Sequence, residues 1–401
     1  MPEIYEAPAP SYTVSSWALF WARYLLIVPL LTDPLKWLVT RLAGTAVGRM
    51  ILGAQNIQAA PMSEHQVADW LQGNGLAGMQ YTVTTDDHAT LDTLEIRPQA
   101  LDNVMQRPYI INFLGSAQHY QDNLYFPLLD MIRDDARQQH CTVIAFNYRN
   151  VVGSTKAPSS FEDLVTDGIA QVQRLLTQGV PPANIVLNGV SLGAGIATLV
   201  AAHFHSHDIP VRLFSDRGFS SLARTIAGWI QIGVVNDMLN NQIQQVRNDD
   251  GITGYTRPFG KKLLGWLALP FLKAALYLTG WDIDVSSAYH SIPSTHKALL
   301  RIQSSVQRRQ ENPPPVDDCI IPEAAQLEPS IGDLVGNMQT MNPQKQHDAH
   351  FKMRGYLRNK ENPSQTGIQF YHHALQRFFQ PPPAPALETS PLLQMDQVCS
   401  T

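Results

Sequence analysis

Short apolar runs alternate with amphipathic stretches of helical period through the middle of this chain. Gln80–Thr85 and Thr90–Ile96 alternate apolar and polar positions around Asp86-Asp87-His88-Ala89, a pattern that predicts a β-hairpin. Tyr109–Leu114, Thr142–Tyr148, Ile185–Leu187 and Val211–Ser215 read as buried strands. Helical patterns lie between them. One ends near Arg137. Another opens at Ser160, where Asp163 completes a capping box, and runs to about Gln178. A hairpin followed by alternating strands and helices predicts an α/β fold, with a mostly parallel central sheet covered by helices on both faces. After Asp216 the alternation stops. Residues 220–292 are apolar and helical before Lys297–Ser304 reads as a strand again. An insertion after the sixth strand is expected as a cap or lid over the carboxyl edge of the sheet. Thr366–Phe379 reads as a last helix.

The ends differ from the middle. Residues 1–60 form an apolar and amphipathic helical arm. Trp17–Leu31 is intensely apolar but carries Arg23 and Pro29, and it falls short of the ~20 residues that span a bilayer. Leu35–Leu52 adds Lys36, Arg41 and Arg49. Residues 17–52 either pack on the body of the protein or lie in a membrane interface, and 263–278 either closes the core, lines an acyl pocket or touches lipid; peripheral membrane contact through residues 17–52 and 263–278 is one of these readings. Within the latter, Leu263–Leu278 is broken by Pro270 and Lys273. The main domain is read as 61–379. The tail, 380–401, is Pro-rich and expected to be disordered.

Composition excludes some classes. With 401 residues, 44% hydrophobic content and a net charge of −5, the chain can bury a large core but has no dense basic run. No nucleic-acid partner is expected. Cys141, Cys319 and Cys399 match neither a zinc nor a disulfide pattern, which suits a reducing compartment. The acidic, Pro-containing start does not read as a secretory signal. A cytoplasmic or peripheral-membrane location is expected.

The chemistry centres on Asn188-Gly189-Val-Ser191-Leu-Gly193-Ala-Gly195, in which an apolar run ends in Gly-x-Ser-x-Gly and passes at once into a small-residue helix. That is the form of a nucleophile elbow, a sharp strand-to-helix turn presenting a serine hydroxyl above a sheet. Serine needs a general base, and the base needs an orienting carboxylate. In folds with such an elbow the chain order is Ser, acid, His, which leaves out His88, His119 and His140. The acid candidates are Asp318, its neighbour Asp317, and Asp216, which could instead be a turn residue paired with Arg217. The base candidates are His350 and His347. The N–H groups of Leu192 and of Ser116, in the turn after Tyr109–Leu114, are the expected oxyanion donors. This chemistry requires no cofactor and no metal.

Phe146-Asn-Tyr-Arg149-Asn-Val-Val-Gly153-Ser154 resembles the Tyr-Arg-Gly-x-Gly-x-Ser segment of ABHD-type α/β hydrolases. Leu114-Gly115-Ser116-Ala117 resembles their His-Gly-Asn-Ala oxyanion loop, with Leu114 in place of His, and the elbow matches theirs. Asp216-Arg-Gly-Phe-Ser-Ser-Leu and Gly280-Trp-Asp-Ile-Asp284 are similar to a lipase-like family of chlamydiae and of Legionella- and Coxiella-type bacteria, some members of which are secreted effectors. The resemblance implies the α/β-hydrolase fold, an acyl ester or lipid substrate, and location in a host cell as an alternative. It implies hydrolysis of carboxylic esters through an acyl-enzyme. S-acyl thioester cleavage, or a non-catalytic scaffold binding a membrane or host protein, are the alternatives.

Overall fold

A computed structural model describes residues 28–56, 60–99, 107–121, 128–232, 259–302, 321, 325–340 and 357–379. The chain enters through helix α1 (Val28–Val39), a π-helical turn (Thr40–Gly44), α2 (Thr45–Ile51) and a 3-10 turn (Gly53–Asn56). Helix α3 (Glu64–Gly73) follows, opened by a Ser63/Gln66 capping box. The expected hairpin is β1 (Leu76–Thr84) with β2 (Thr90–Pro98), paired antiparallel along its length. Then come β3 (Tyr109–Phe113), α4 (Leu128–Gln138), β4 (Thr142–Phe146) and α5 (Phe161–Thr177). The Ser160/Asp163 capping box is present at the start of α5. Strand β5 (Ile185–Val190) leads into α6 (Leu192–Ser206), and β6 (Arg212–Asp216) follows. Between β6 and β7 (Lys297–Ile302) lie α7 (Leu222–Ile232), α8 (Phe259–Thr279) and α9 (Val285–Ser291). Strands β8 (Leu334–Thr340) and β9 (Leu357–Asn359) and helix α10 (Gly367–Phe379) complete the described chain.

The nine strands form one sheet in the order β1-β2-β4-β3-β5-β6-β7-β8-β9. Strands β3 to β8 run parallel. Strand β2 is antiparallel to both of its neighbours, and β9 is antiparallel to β8. This is the α/β-hydrolase fold, with helices inserted after the sixth strand. Every residue of β3, β4 and β5 is buried, which is why these segments read as continuous apolar runs rather than alternating ones.

Strand β6 shows the two faces. The Phe214 ring packs against Phe370 and Tyr371 of α10. Its neighbour Ser215 turns the other way, so that a Cβ on Gly218 would meet both the Ser215 hydroxyl and the Ala194 side chain of α6. Alternation along a strand places α10 and α6 on opposite sides of the sheet. Tyr371 donates to Asp135, so α4 shares the α10 face.

The entering helices pack on loops at the carboxyl edge. The Thr40 hydroxyl donates to the Leu278 carbonyl and the Trp281 indole to that of Gly44. Gly48 lies close against the Trp281 ring and the Pro158 carbonyl. The Phe161 N–H donates to Gly280, and the Asn150 amide to Gln55. No helix among the described residues is long and apolar enough to cross a membrane.

Candidate active site

Ser191 occupies the corner between β5 and α6 with φ 55° and ψ −117°, a region that side chains other than glycine rarely adopt. Two glycines allow the corner. A Cβ on Gly189 would stand 2.5 Å from the Cα of Ala194, and one on Gly193 would stand 2.5 Å from the Leu114 carbonyl oxygen, both well inside contact distance. The Ser191 N–H donates to the Asp216 carbonyl at 3.0 Å, which ties the corner to β6. Ser191 itself is half-buried. Its side chain is therefore neither sealed in the core nor fully solvated.

The strain makes a testable demand. Relief of such a corner contributes about 1–3 kcal/mol, and the extra unfolded-state freedom of glycine offsets about 0.4–1 kcal/mol of it. Ser191→Gly is expected to be more stable than the parent by about 1 kcal/mol, read from the urea midpoint at constant slope. A midpoint at or below the parent's would mean the corner stores nothing.

The first N–H of a helix has no intrahelical partner, and in α6 that group belongs to Leu192. Strand β3 lies beside β5 with Phe113 opposite Gly189, so the turn Gly115–Gln118 leaves the sheet next to the elbow. Several bonds fix that turn. The Gly115 N–H donates to the Gln118 side chain at 2.8 Å. The Ala54 N–H donates to the Ser116 carbonyl at 2.8 Å. The Tyr120 N–H donates to Asn147 at 3.0 Å and the Tyr148 hydroxyl to the Leu114 carbonyl at 3.3 Å. Beneath it, the buried Asp92 carboxylate accepts from Tyr120, Gln121 and Gln80 at 2.6–2.9 Å and from Asn147 at 3.3 Å. His119 is buried in the same segment, its Nδ1 3.3 Å from the Gln121 side-chain oxygen. None of these supports was read from the sequence. Asn147 stood inside the Phe-Asn-Tyr-Arg segment as the one available signal.

That segment continues to Arg149, a buried guanidinium that binds Asp167 through Nε at 2.8 Å and both oxygens of Asp87 at 2.9 and 3.1 Å. The Arg149 N–H also donates to Asp167. Burial pushes the Asp167 carboxyl up to about 6 against the pull of Arg149. Burial also acts on Asp87, but the hydrogen bonds from Arg149 and Lys156 outweigh it and hold that carboxyl well below the usual range. The cluster joins the β1–β2 turn to the loop after β4 and so stiffens the edge on which the elbow stands.

Asp216 is buried at the end of β6, and both of its oxygens accept from the Arg217 guanidinium, at 2.7 and 3.0 Å. Arg217 has φ 51°, and its N–H donates to Leu300 of β7. Ser191, Leu192, Ser116 and Asp216 thus all lie at one edge of the sheet. Asp317, Asp318, His347 and His350 lie outside the described residues. Among the described residues no group of His, Cys, Asp or Glu could hold a metal ion. Cys141 is buried, and burial pushes its thiol well up, as expected of a packed cysteine.

No protein-family model and no curated protein matches the sequence. Among solved structures, the chain is similar to an esterase from Pyrococcus furiosus at 17% identity, covering 58% of this chain and 71% of that one with a TM-score of 0.37. An α/β hydrolase from Vibrio vulnificus is 15% identical over 64% of this chain and 75% of its own, with a TM-score of 0.43. An esterase/lipase from an uncultured bacterium is 15% identical over 63% and 69%, with a TM-score of 0.34. Likeness at this level says nothing about chemistry, so the reaction has to be read from this chain's own residues.

Proposed function

We propose that this protein is a serine hydrolase that cleaves carboxylic, lipid-type esters through an acyl-enzyme. Ser191 attacks the acyl carbonyl, His350 takes its proton and returns it to the leaving group, and Asp318 orients the imidazole. The N–H groups of Leu192 and Ser116 receive the oxyanion. Water then releases the acid. The observation that carries this reading is the half-buried serine in a positive-φ corner, at the start of a helix and beside a turn whose residues and immediate neighbours are held by hydrogen bonds.

Topology supports the partners. Strands β6, β7 and β8 lie side by side after β5, all parallel, so β7 and β8 end at Ile302 and Thr340 on the edge that bears Ser191. Neighbouring strands are ~5 Å apart, which puts those ends within roughly 10–15 Å of β5. Asp318 and His350 follow them in the chain order the chemistry demands. The Arg217 pair leaves Asp216 less suited to orient an imidazole. In this reading residues 220–292 act as the cap; peripheral membrane contact through residues 17–52 and 263–278 is compatible with it but not required by it.

A fluorophosphonate probe tests the reading. The parent should label and Ser191→Ala should not, while short oxygen and thiol esters of equal acyl length separate an esterase from a thioesterase. Labelling that persists in Ser191→Ala would overturn the assignment. No labelling together with normal vesicle binding would favour the non-catalytic scaffold.

A further inference from the structure

Helices α1, α2 and α8 present one continuous kind of surface that the fold does not use. Thr40, Gly44 and Gly48 face inward, against Leu278, Trp281 and Pro158. On the outward side of the same helices Trp37 is 62% and Leu42 75% exposed, and Leu35, Leu38 and Met50 are also exposed. Leu35, Leu38 and Leu42 recur at helical spacing, which makes a stripe rather than scattered positions. Helix α8 repeats the arrangement. Gly265 and Leu276 are buried and Leu269 and Leu272 pack on the core, while Trp266 (68% exposed), Phe271 (76%), Leu264 and Leu267 face out. The two helices touch, with the Lys36 ammonium 4.2 Å from the centre of the Tyr277 ring. Isolated exposed leucines are ordinary, but a run of this size with two tryptophans marks an interaction surface.

Charge decides what covers it. Val28–Ile51 and Phe259–Thr279 hold Lys36, Arg41, Arg49, Lys261, Lys262 and Lys273 against the single acid Asp33, a net of +5. The whole chain is −5, so the remainder stands at −10. Arg41, Arg49 and Lys273 are exposed beside the apolar positions. A second copy of an acidic protein could meet the charge, but it would not call for tryptophans flanked by cations, the composition that suits a lipid headgroup boundary. We infer that α1, α2 and α8 together form a docking face for an anionic bilayer, on which the protein lies without spanning it. The turns that join and follow these helices rest on loops that leave the carboxyl edge of the sheet: Gly44 lies against Ser159, Ala54 and Gln55 bond to Ser116 and Asn150, and Gly280 bonds to Phe161. The face therefore stands on the Ser191 side of the molecule. Its purpose, delivering bilayer acyl esters to that edge, rests on the hydrolase reading; the binding does not.

Co-sedimentation of the full chain with vesicles of phosphatidylcholine, with and without phosphatidylserine, tests this. The parent and Ser191→Ala should both bind the phosphatidylserine vesicles, and binding should weaken steeply with added salt. Arg41→Glu/Arg49→Glu/Lys273→Glu should lower the partition coefficient at least about 100-fold. Trp37→Ala/Trp266→Ala/Phe271→Ala should do the same, with unchanged thermal midpoint and unchanged turnover of a water-soluble ester. Failure of the parent to bind, or undiminished binding by both triple variants, would overturn the docking face. So would a parent dimer in solution that the aromatic variant dissolves, since the occupant would then be a second copy. Loss of soluble-ester turnover in Ser191→Ala belongs to the other reading and leaves this one standing.

Discussion

Alanine at position 191 is expected to lower kcat for a water-soluble ester by about 10⁴- to 10⁶-fold, leaving KM and the thermal midpoint near the parent's. On the proposed mechanism the size follows from what remains: the oxyanion donors and binding would still act, but no covalent route would exist. In free-energy terms the loss is about 5–8 kcal/mol of transition-state stabilisation. The same experiment identifies the base. Groups that act as one unit are grossly non-additive, so removing the true base from the Ser191→Ala background should cost almost nothing further. His350→Ala in the parent should cost about as much as Ser191→Ala, and His347→Ala far less. If His347→Ala carried the large loss, the base would be reassigned to it. If neither did, Ser191 would not be working through an imidazole from this part of the chain.

Arg149→Met is expected to destabilise the fold by about 3–5 kcal/mol, measured by urea unfolding at neutral pH. Arg149 is buried and binds Asp167 and Asp87 through Nε, both terminal nitrogens and its backbone N–H. Loss of the guanidinium leaves the fully buried Asp167 carboxylate with the backbone N–H at 149 but without its buried cation, whereas Asp87 keeps Lys156 and Thr85. The pH dependence carries a sign. Burial already raises the Asp167 carboxyl in the folded parent, and without the guanidinium it rises further. A carboxyl raised on folding binds its proton more tightly in the native state, so its contribution to stability falls as pH rises from the unfolded value of 3.8 through the folded one. The deficit of Arg149→Met should therefore shrink as pH drops from neutral toward 4, and Arg149→Met/Asp167→Leu should recover most of it at neutral pH. A pH-independent deficit would assign the loss to packing instead.

Local steric rules explain what could be read in the sequence. The elbow was legible because its demands fall within a few residues: an apolar strand, glycines at 189 and 193, and a small-residue helix. The capping box at Ser160 was legible for the same reason. Strand β5 runs three residues past the expected Leu187 because Asn188, Gly189 and Val190 pair with β6 or β3 in spite of their mixed character. Strands β8 and β9 went unread. In Leu334-Val-Gly-Asn-Met-Gln-Thr the glycine looks like a break, yet a side chain at 336 would collide with the Phe370 ring of α10, contributed by a distant part of the chain. The partners of Arg149 were equally hidden. Asp87 reads as a hairpin-turn residue, and only the folded sheet brings it 62 positions along the chain to the guanidinium. Candidates for the proposed acid and base could be narrowed by chain order but not chosen, because neighbouring aspartates and nearby histidines offer no local steric difference.

The bond from the Ala54 N–H to the Ser116 carbonyl has a practical side. It means that the turn beside the elbow is tethered by peptide groups from both ends of a long sequence interval, one of them in the arm. A fragment trimmed to begin after residue 60 would lose that tether along with the amphipathic helices. On the proposed readings, poor hydrolysis by such a fragment would report a slackened turn beside Ser191 as readily as a missing bilayer contact, and only point changes on the outward side of the arm keep the two apart.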